Sequence, residues 1–180
     1  MKHPLTLLFA ASEATPLART SCMGDVVSAL PRALNELGIN ASVVIPRYKI
    51  ISSEYPLETI AQNIPVPIGD HHKTVDLYLT HLDGLPVYLV DQPDYYWRDG
   101  IYRLENGDYL DNAERFIFFS RAVVELIPFY RSVPSIIHCH DWQTGLTPLY
   151  LNRYKSLKTQ YREIRSLFTI HNLVYQGLFW

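Results

Sequence analysis

The sequence predicts an α/β fold built on a parallel sheet, and three observations predict it. The chain opens as strand, helix, strand, an order that places consecutive strands side by side and parallel. A short apolar run, Val133 to Ile137, leads into the polar cluster His138-Cys139-His140-Asp141-Trp142-Gln143 just ahead of a helix. A second polar cluster, beginning at His171 and Asn172, follows the next apolar run. Open α/β sheets hold ligands at strand ends of this kind. Two such ends so close in sequence imply one shared crevice.

Each element follows from its local pattern. Leu5 to Ala11 is continuously apolar but for Thr6 and reads as the first strand. Gly24 to Leu37 carries Val26, Val27, Leu30, Leu34 and Leu37 at helical spacing, with Gly38 as the stop and Pro31 as an internal kink or register mark. Ala41 to Ile45, closed by Pro46, is the second strand. Thr74 to Leu79 and Pro86 to Val90 alternate as half-exposed strands joined by a turn over residues 81–85. Asp91 to Leu110, rich in Tyr, Asp, Gly and Pro, reads as a long surface loop. Asp111 to Ile127 is an amphipathic helix ended by Pro128, with Ala113, Phe116, Ile117, Val123, Val124 and Ile127 facing the core. A helix over Thr144 to Tyr154 and a strand over Ser166 to Ile170 complete the pattern.

At 180 residues the chain is long enough for one domain with a sizeable core. A formal net charge of −2 gives no electrostatic footprint for nucleic acid. No apolar stretch approaches the length of a membrane span. The N-terminal run is followed by Glu13 and Pro16 and suits a buried strand better than a signal peptide. Two cysteines without a CxxC spacing argue against a disulfide or zinc-finger framework and suit a reducing compartment. The apolar end Leu178-Phe179-Trp180 has no terminal cap or polar tail, so the chain reads as cut short.

Several residues carry candidate chemistry. The segment Pro16 to Asp25 joins the first strand to the first helix, and helix N-termini attract anions through free N–H groups and the dipole. Asp141 stands just past a strand end, where it either accepts hydrogen bonds from a polyhydroxylated ligand or caps the following helix. His138 and His140 form an H-x-H pair whose side chains share one face of a strand. They serve either as structural histidines or, with further ligands, as a metal site, and no partner motif for a metal is evident. Cys139 then points into the core. Tyr95-Tyr96-Trp97-Arg98 either stacks on sugar rings or packs against the sheet.

Three blocks carry a resemblance: LLFAASEATPLARTSCMGDVVSALPRAL, HCHDWQTGLTP and FTIHNLVYQGLF. In that order they resemble signature segments of the bacterial glycogen synthase and plant starch synthase family, over essentially the whole chain. The resemblance implies a Rossmann-like N-terminal catalytic domain of a GT-B glycosyltransferase spanning 1–180, with the C-terminal nucleotide-binding domain absent. It implies transfer of glucose from ADP-glucose or UDP-glucose to the non-reducing end of an α-1,4-glucan, with retention, no metal and no cofactor. It implies catalytic roles for His171, Asp141 and Asn172, and substrate contacts from Arg19, Gly24, Asp25, Gln143, Tyr175 and Gly177. The chain alone is then expected to be inactive, needing the C-terminal domain or a separate chain that supplies it, in a cytoplasmic or, for a plant or alga, plastid setting. A non-catalytic glucan-binding or regulatory module, and an unrelated α/β enzyme using the H-x-H pair as metal ligands, stay open beside this reading.

The first block departs from the family pattern. Where the family shows Lys, a variable residue and two glycines, this chain has Arg19, Thr20, Ser21 and Cys22. Arg keeps the charge but not the compact shape of an ammonium. If either glycine position requires positive φ, Ser21 or Cys22 costs about 1–2 kcal/mol, and donor binding is weakened.

Overall fold

In the computed structural model, which describes residues 5–51 and 53–179, the apolar runs assemble into one seven-stranded mixed sheet. Strand β1 (Thr6–Ala10) is buried along its whole length, as a strand covered on both faces must be. It lies between β2 (Asn40–Pro46) and β8 (Ile136–His140), both parallel to it. Beyond β2 comes β5 (Leu85–Asp91), and beyond β8 comes β9 (Arg165–Thr169), both also parallel. Five parallel strands therefore share one direction, in the order β5-β2-β1-β8-β9.

The other flank is antiparallel. β4 (His71–Leu82) pairs with β5 through the two-residue turn Asp83-Gly84, both at positive φ, as a tight hairpin requires. The strands extend further into the turn than the sequence pattern predicts. β3 (Glu58–Ile68) is an edge strand that pairs, among the described strands, with β4 alone, and the sequence reading missed it. Pro65 and Pro67 argue against a strand in general, but an edge tolerates the loss of donors. Irregular register between Thr59 and Ile64, with Asn63 at φ 56°, further blurs the alternation.

Helix α1 (Cys22–Glu36) runs through Pro31. Its buried residues are Met23, Gly24, Val27, Ser28 and Pro31, whereas Val26, Leu30 and Leu37 are exposed, against expectation. The preceding loop sets this rotation: the Ser28 hydroxyl donates to Thr15 O at 2.6 Å. A Cβ at Gly24 would meet Thr15 Oγ1 at 3.1 Å and Ala18 O at 3.4 Å. Apolar spacing alone does not reveal such a polar anchor.

The segment 91–110 is largely exposed, as its composition suggests, but it is not wholly irregular. It holds the short helix α2 (Pro93–Tyr96) and a two-stranded ribbon, β6 (Arg103–Leu104) with β7 (Gly107–Asp108). Tyr95, Tyr96 and Ile101 are buried. Their anchor is Arg115 on α3 (Asn112–Glu125), a fully buried guanidinium. Its Nε donates to Tyr95 O at 2.8 Å and its Nη1 to Asn112 Oδ1 at 2.6 Å. The cation lies 4.9 Å from the Tyr109 ring centroid and 5.3 Å from that of Phe116. Asn112 in turn donates to Tyr102 O. Of the core positions expected on this helix, Phe116, Val123 and Val124 are buried, Ile127 is buried in the 3₁₀ turn that follows, and Ala113 and Ile117 are half-buried.

β8 begins three residues later than predicted, after Pro134, so the histidine pair lies within the strand. A 3₁₀ turn (Trp142–Thr144) and helix α4 (Thr147–Leu157) carry the chain to β9. β9 pairs with β8 alone among the described strands and exposes Leu167 and Phe168. No helix among the described residues is long and apolar enough to cross a membrane.

Replacing Arg115 by Ala removes two buried hydrogen bonds and leaves a large void. Urea denaturation should show a loss of about 3 kcal/mol or more, while Arg103→Ala, at an exposed site, should stay within about 0.5 kcal/mol of the parent.

Candidate functional site

Parallel pairing brings three strand ends to one edge of the sheet. Phe9 lies beside His138, Ala10 beside Cys139, and His140 beside Thr169. The segments after β1, β8 and β9 therefore emerge together: Ala11 to Glu13, Asp141, and Ile170 to Asn172.

Asp141 is the most constrained of these. Its backbone sits at φ 55° and ψ −178°, a region that costs a non-glycine residue about 1–3 kcal/mol. Surrounding bonds enforce it. Its N–H donates to Thr169 O at 3.0 Å, and its carbonyl accepts from the N–H of Thr144 at 3.1 Å. Its side chain makes no capping bond to the following turn; Oδ1 accepts the His171 N–H at 2.6 Å instead. Of the two readings of Asp141, helix cap and site carboxylate, the cap is thus excluded, and the carboxylate ties the ends of β8 and β9 together.

The three imidazoles stack. His138 and His140 have ring centroids 4.1 Å apart, on the shared face their spacing predicts. Phe9 packs against both. His140 Nδ1 lies 2.8 Å from His171 Nε2, and His138 Nε2 lies 2.7 Å from Thr169 Oγ1. Burial, reinforced by His138 and then His171, pushes the His140 pKa down to about 3. Burial first and His171 next lower that of His138. Burial pushes the Cys139 thiol up to about 12, so it is an inert core group. Among the described residues, no group of three or more His, Cys, Asp or Glu side chains is arranged to hold a metal ion.

Glu13 organises the loop between β1 and α1, and sequence reasoning missed it. The residue is 1 % exposed. Its carboxylate accepts from the N–H groups of Thr20 and Ser21, at 2.5 and 2.9 Å, and from the Thr20 hydroxyl at 2.7 Å. The Tyr102 hydroxyl donates to it at 2.7 Å and lies 2.7 Å from Ser12 Oγ. The available signal was an acid immediately after a buried strand, facing a loop dense in donors. Ser21 has φ −138°, an extended conformation open to any residue, and its hydroxyl accepts from Met23 N as the α1 cap. Cys22 lies in the helix. Neither position has positive φ, so the conformational cost expected for Ser21 and Cys22 does not arise.

The other anticipated residues divide into groups. Arg19 and Asp25 meet at 2.9 Å at the loop surface, a solvent-screened pair. The Thr15 hydroxyl, and after it Arg19, holds the Asp25 carboxyl below its usual value. Asp141, Asn172, Tyr175 and Gly177 line a cleft of about 660 Å³ together with Phe116, Trp142, Phe168 and Phe179. Asn172 Oδ1 accepts from Val174 N and shapes the turn. Gly177 has φ 65°, and a Cβ there would meet the Trp142 indole at 2.7 Å, so only glycine fits. Gln143 is buried within the 3₁₀ turn and does not line the cleft. Arg19, Gly24, Asp25 and His171 do not line it either. Tyr95 and Tyr96 are core residues, while Trp97 is half exposed with its Nε1 donating to Asp91.

A sequence model of the starch synthase catalytic domain matches residues 6–180. The chain belongs to the starch synthase catalytic domain family. It is 44 % identical over 174 residues to a glycogen synthase of Exiguobacterium sibiricum, covering 95 % of this chain and 35 % of that protein. A glycogen synthase of Koribacter versatilis is 43 % identical over 174 residues, covering 96 % of this chain and 36 % of its own length. Among solved structures, the catalytic domain of starch synthase IV from Arabidopsis thaliana, bound to ADP and acarbose, superposes with a TM-score of 0.84 at 30 % identity. That match covers 97 % of this chain and 35 % of the plant chain. The fold of this synthase-family chain is thus the Rossmann-like, parallel-dominated α/β fold of a GT-B glycosyltransferase. The chain spans about 35 % of the relatives it matches. Family membership overturns the alternative of an unrelated enzyme with a metal-binding histidine pair.

Two outcomes follow for this family site. Glu13→Gln keeps the size but removes one acceptor oxygen and the charge. Stability should fall by about 1–3 kcal/mol, and amide exchange at Thr20 and Ser21 should speed up relative to β1. The second concerns pH. Between the ordinary histidine value of 6.5 and about 3, the unfolded chain binds a proton that folded His140 refuses. Stability is therefore complete above that window and falls as pH drops through it, by up to about 1.4 kcal/mol per pH unit. His140→Phe should remove that slope, as read by denaturant titrations across the window.

Proposed function

We propose that this chain forms one wall of the active cleft in an enzyme that transfers glucose from ADP-glucose or UDP-glucose to the non-reducing end of an α-1,4-glucan. The observation that carries this reading is the strained Asp141, clamped to His171 at the carboxyl ends of two adjacent parallel strands and facing a cleft. Strain of this kind persists where function requires a fixed geometry. The plant starch synthase with the same fold binds ADP and acarbose, a nucleotide and an oligosaccharide-like ligand, which supports a nucleotide sugar and a glucan as ligands here.

In the proposed reaction the bond from glucose C1 to the diphosphate oxygen breaks. A bond from C1 to the acceptor hydroxyl oxygen forms, and the acceptor proton leaves with the nucleoside diphosphate. His171, Asp141 and Asn172 hydrogen-bond the transferred sugar and hold it for reaction. Tyr175 and Gly177 shape the cleft beside it, with Gln143 supporting from behind. At the loop after β1, Arg19, Gly24 and Asp25 flank the donor, where positive charge and helix N–H groups favour a diphosphate. Residues 1–180 act as an N-terminal catalytic domain, and the groups that neutralise the leaving diphosphate come from a C-terminal nucleotide-binding domain in the same or another chain. The setting is cytoplasmic, and no metal or cofactor is used.

The test is a chimera in which this chain replaces the matching segment of an active glycogen synthase. The chimera should elongate a maltooligosaccharide with ADP-glucose or UDP-glucose, and His171→Ala within it should lower kcat/KM by about 10²-fold or more. The chain by itself should bind a maltooligosaccharide in calorimetry yet release no nucleoside diphosphate. A folded chimera without turnover whose isolated segment binds glucan would instead mark a glucan-binding module, and rapid transfer by the chain alone would overturn the need for a second domain.

A further inference from the structure

His171 has two ring nitrogens, and which of them carries the proton decides what the site offers a ligand. Its Nε2 lies 2.8 Å from His140 Nδ1, so one of the two nitrogens donates and the other accepts. His140 is neutral over the physiological range, because burial disfavours its charged form. It therefore carries one N–H, on Nδ1 or on Nε2. His140 Nε2 is buried without a hydrogen-bond partner among the described residues. His140 is 1 % exposed and stacked with Phe9 and His138.

The bond to His171 forms in either tautomer, and His140 Nε2 is left unpaired in either, as an orphaned donor or as an orphaned lone pair. Orphaned buried N–H groups are the rarer of the two, which places the His140 proton on Nδ1. His171 Nε2 must then be the acceptor, and the hydrogen of neutral His171 resides on Nδ1. That is the opposite of the usual preference of a free neutral imidazole.

We propose that His140 is a positioning residue that holds His171 as its Nδ1–H tautomer, so that the site presents a neutral hydrogen-bond donor of fixed orientation. The hydrogen bond supplies the orientation: the ring planes of His140 and His171 lie 21° apart, with centroids 5.1 Å from each other. The bond from His171 N–H to Asp141 Oδ1 fixes the backbone of the same residue. In the Proposed function, on which the use of this donor rests, it addresses an oxygen acceptor on the sugar or on a carbonyl beside it. An unpositioned His171 would populate both tautomers and offer a lone pair in most molecules.

The experiment is ring ¹⁵N–¹H correlation spectroscopy of the full chain labelled with ¹⁵N-histidine, above the ordinary histidine titration range and without added ligand. His171→Gln identifies the resonances by their loss. The expected result is a predominantly Nδ1-protonated His171 in the parent chain, with that pattern lost in favour of Nε2–H in His140→Phe, which keeps a ring in the stack but no donor. An Nε2-protonated His171 in the parent overturns the proposal, as does an Nδ1–H pattern that survives in His140→Phe. If that variant does not fold, the parent spectrum still decides which nitrogen carries the proton. Because no sugar is present, the tautomer can fail while glucan binding succeeds, and the reverse, so the two readings fall separately.

Discussion

Parallel strand direction is the constraint on which the rest of this structure depends. Five strands pointing the same way must place all their carboxyl ends on one edge. Residues far apart in sequence, Glu13, Asp141 and His171, therefore belong to segments that begin at the same edge. The two histidines of the H-x-H pair share a face because side chains alternate along a strand, and Thr169 and His171 meet them from the adjacent strand. Reversing β9 would leave every local sequence preference intact and dismantle the site.

Buried polar groups then set the details that apolar packing leaves loose. Glu13 gathers donors from residues 20, 21 and 102, and so joins the loop after β1 to the segment before α3. Arg115 performs the matching task on the far side of that segment, reaching Tyr95 and Asn112. Both are charged side chains with almost no exposure. Such groups specify one arrangement more sharply than a hydrophobic contact does, although Arg115 Nη2 is left without a hydrogen-bond partner among the described residues.

The sequence made the central strands legible because apolar residues covered on both faces leave an unbroken run. Asp141 and the pair at 171–172 lie just past the ends of β8 and β9, as polar residues after such runs do, whereas His138 and His140 fall inside β8. The edge strand β3 was hidden by its prolines, which break the pattern without preventing pairing on one side. The face of α1 was misjudged because a serine, a glycine and a proline pack where Val26 and Leu30 would be expected. Within the largely exposed segment 91–110, the burial of Tyr95 and Tyr96 was not legible, because their anchor is Arg115, a residue whose composition signal is that of a surface. Glu13 gave no periodic signal at all, since its role depends on donors from three separate segments.

The clamp on the loop after β1 has an evolutionary consequence. The loop's path is dictated by a carboxylate at its start, Glu13, through backbone N–H groups and two hydroxyls, rather than by glycines within it. Arg19 and Cys22 are exposed and take no part in that clamp. Substitutions at those two positions can therefore alter what the loop meets without altering its shape. Such a loop is free to change its surface chemistry while its backbone path stays fixed.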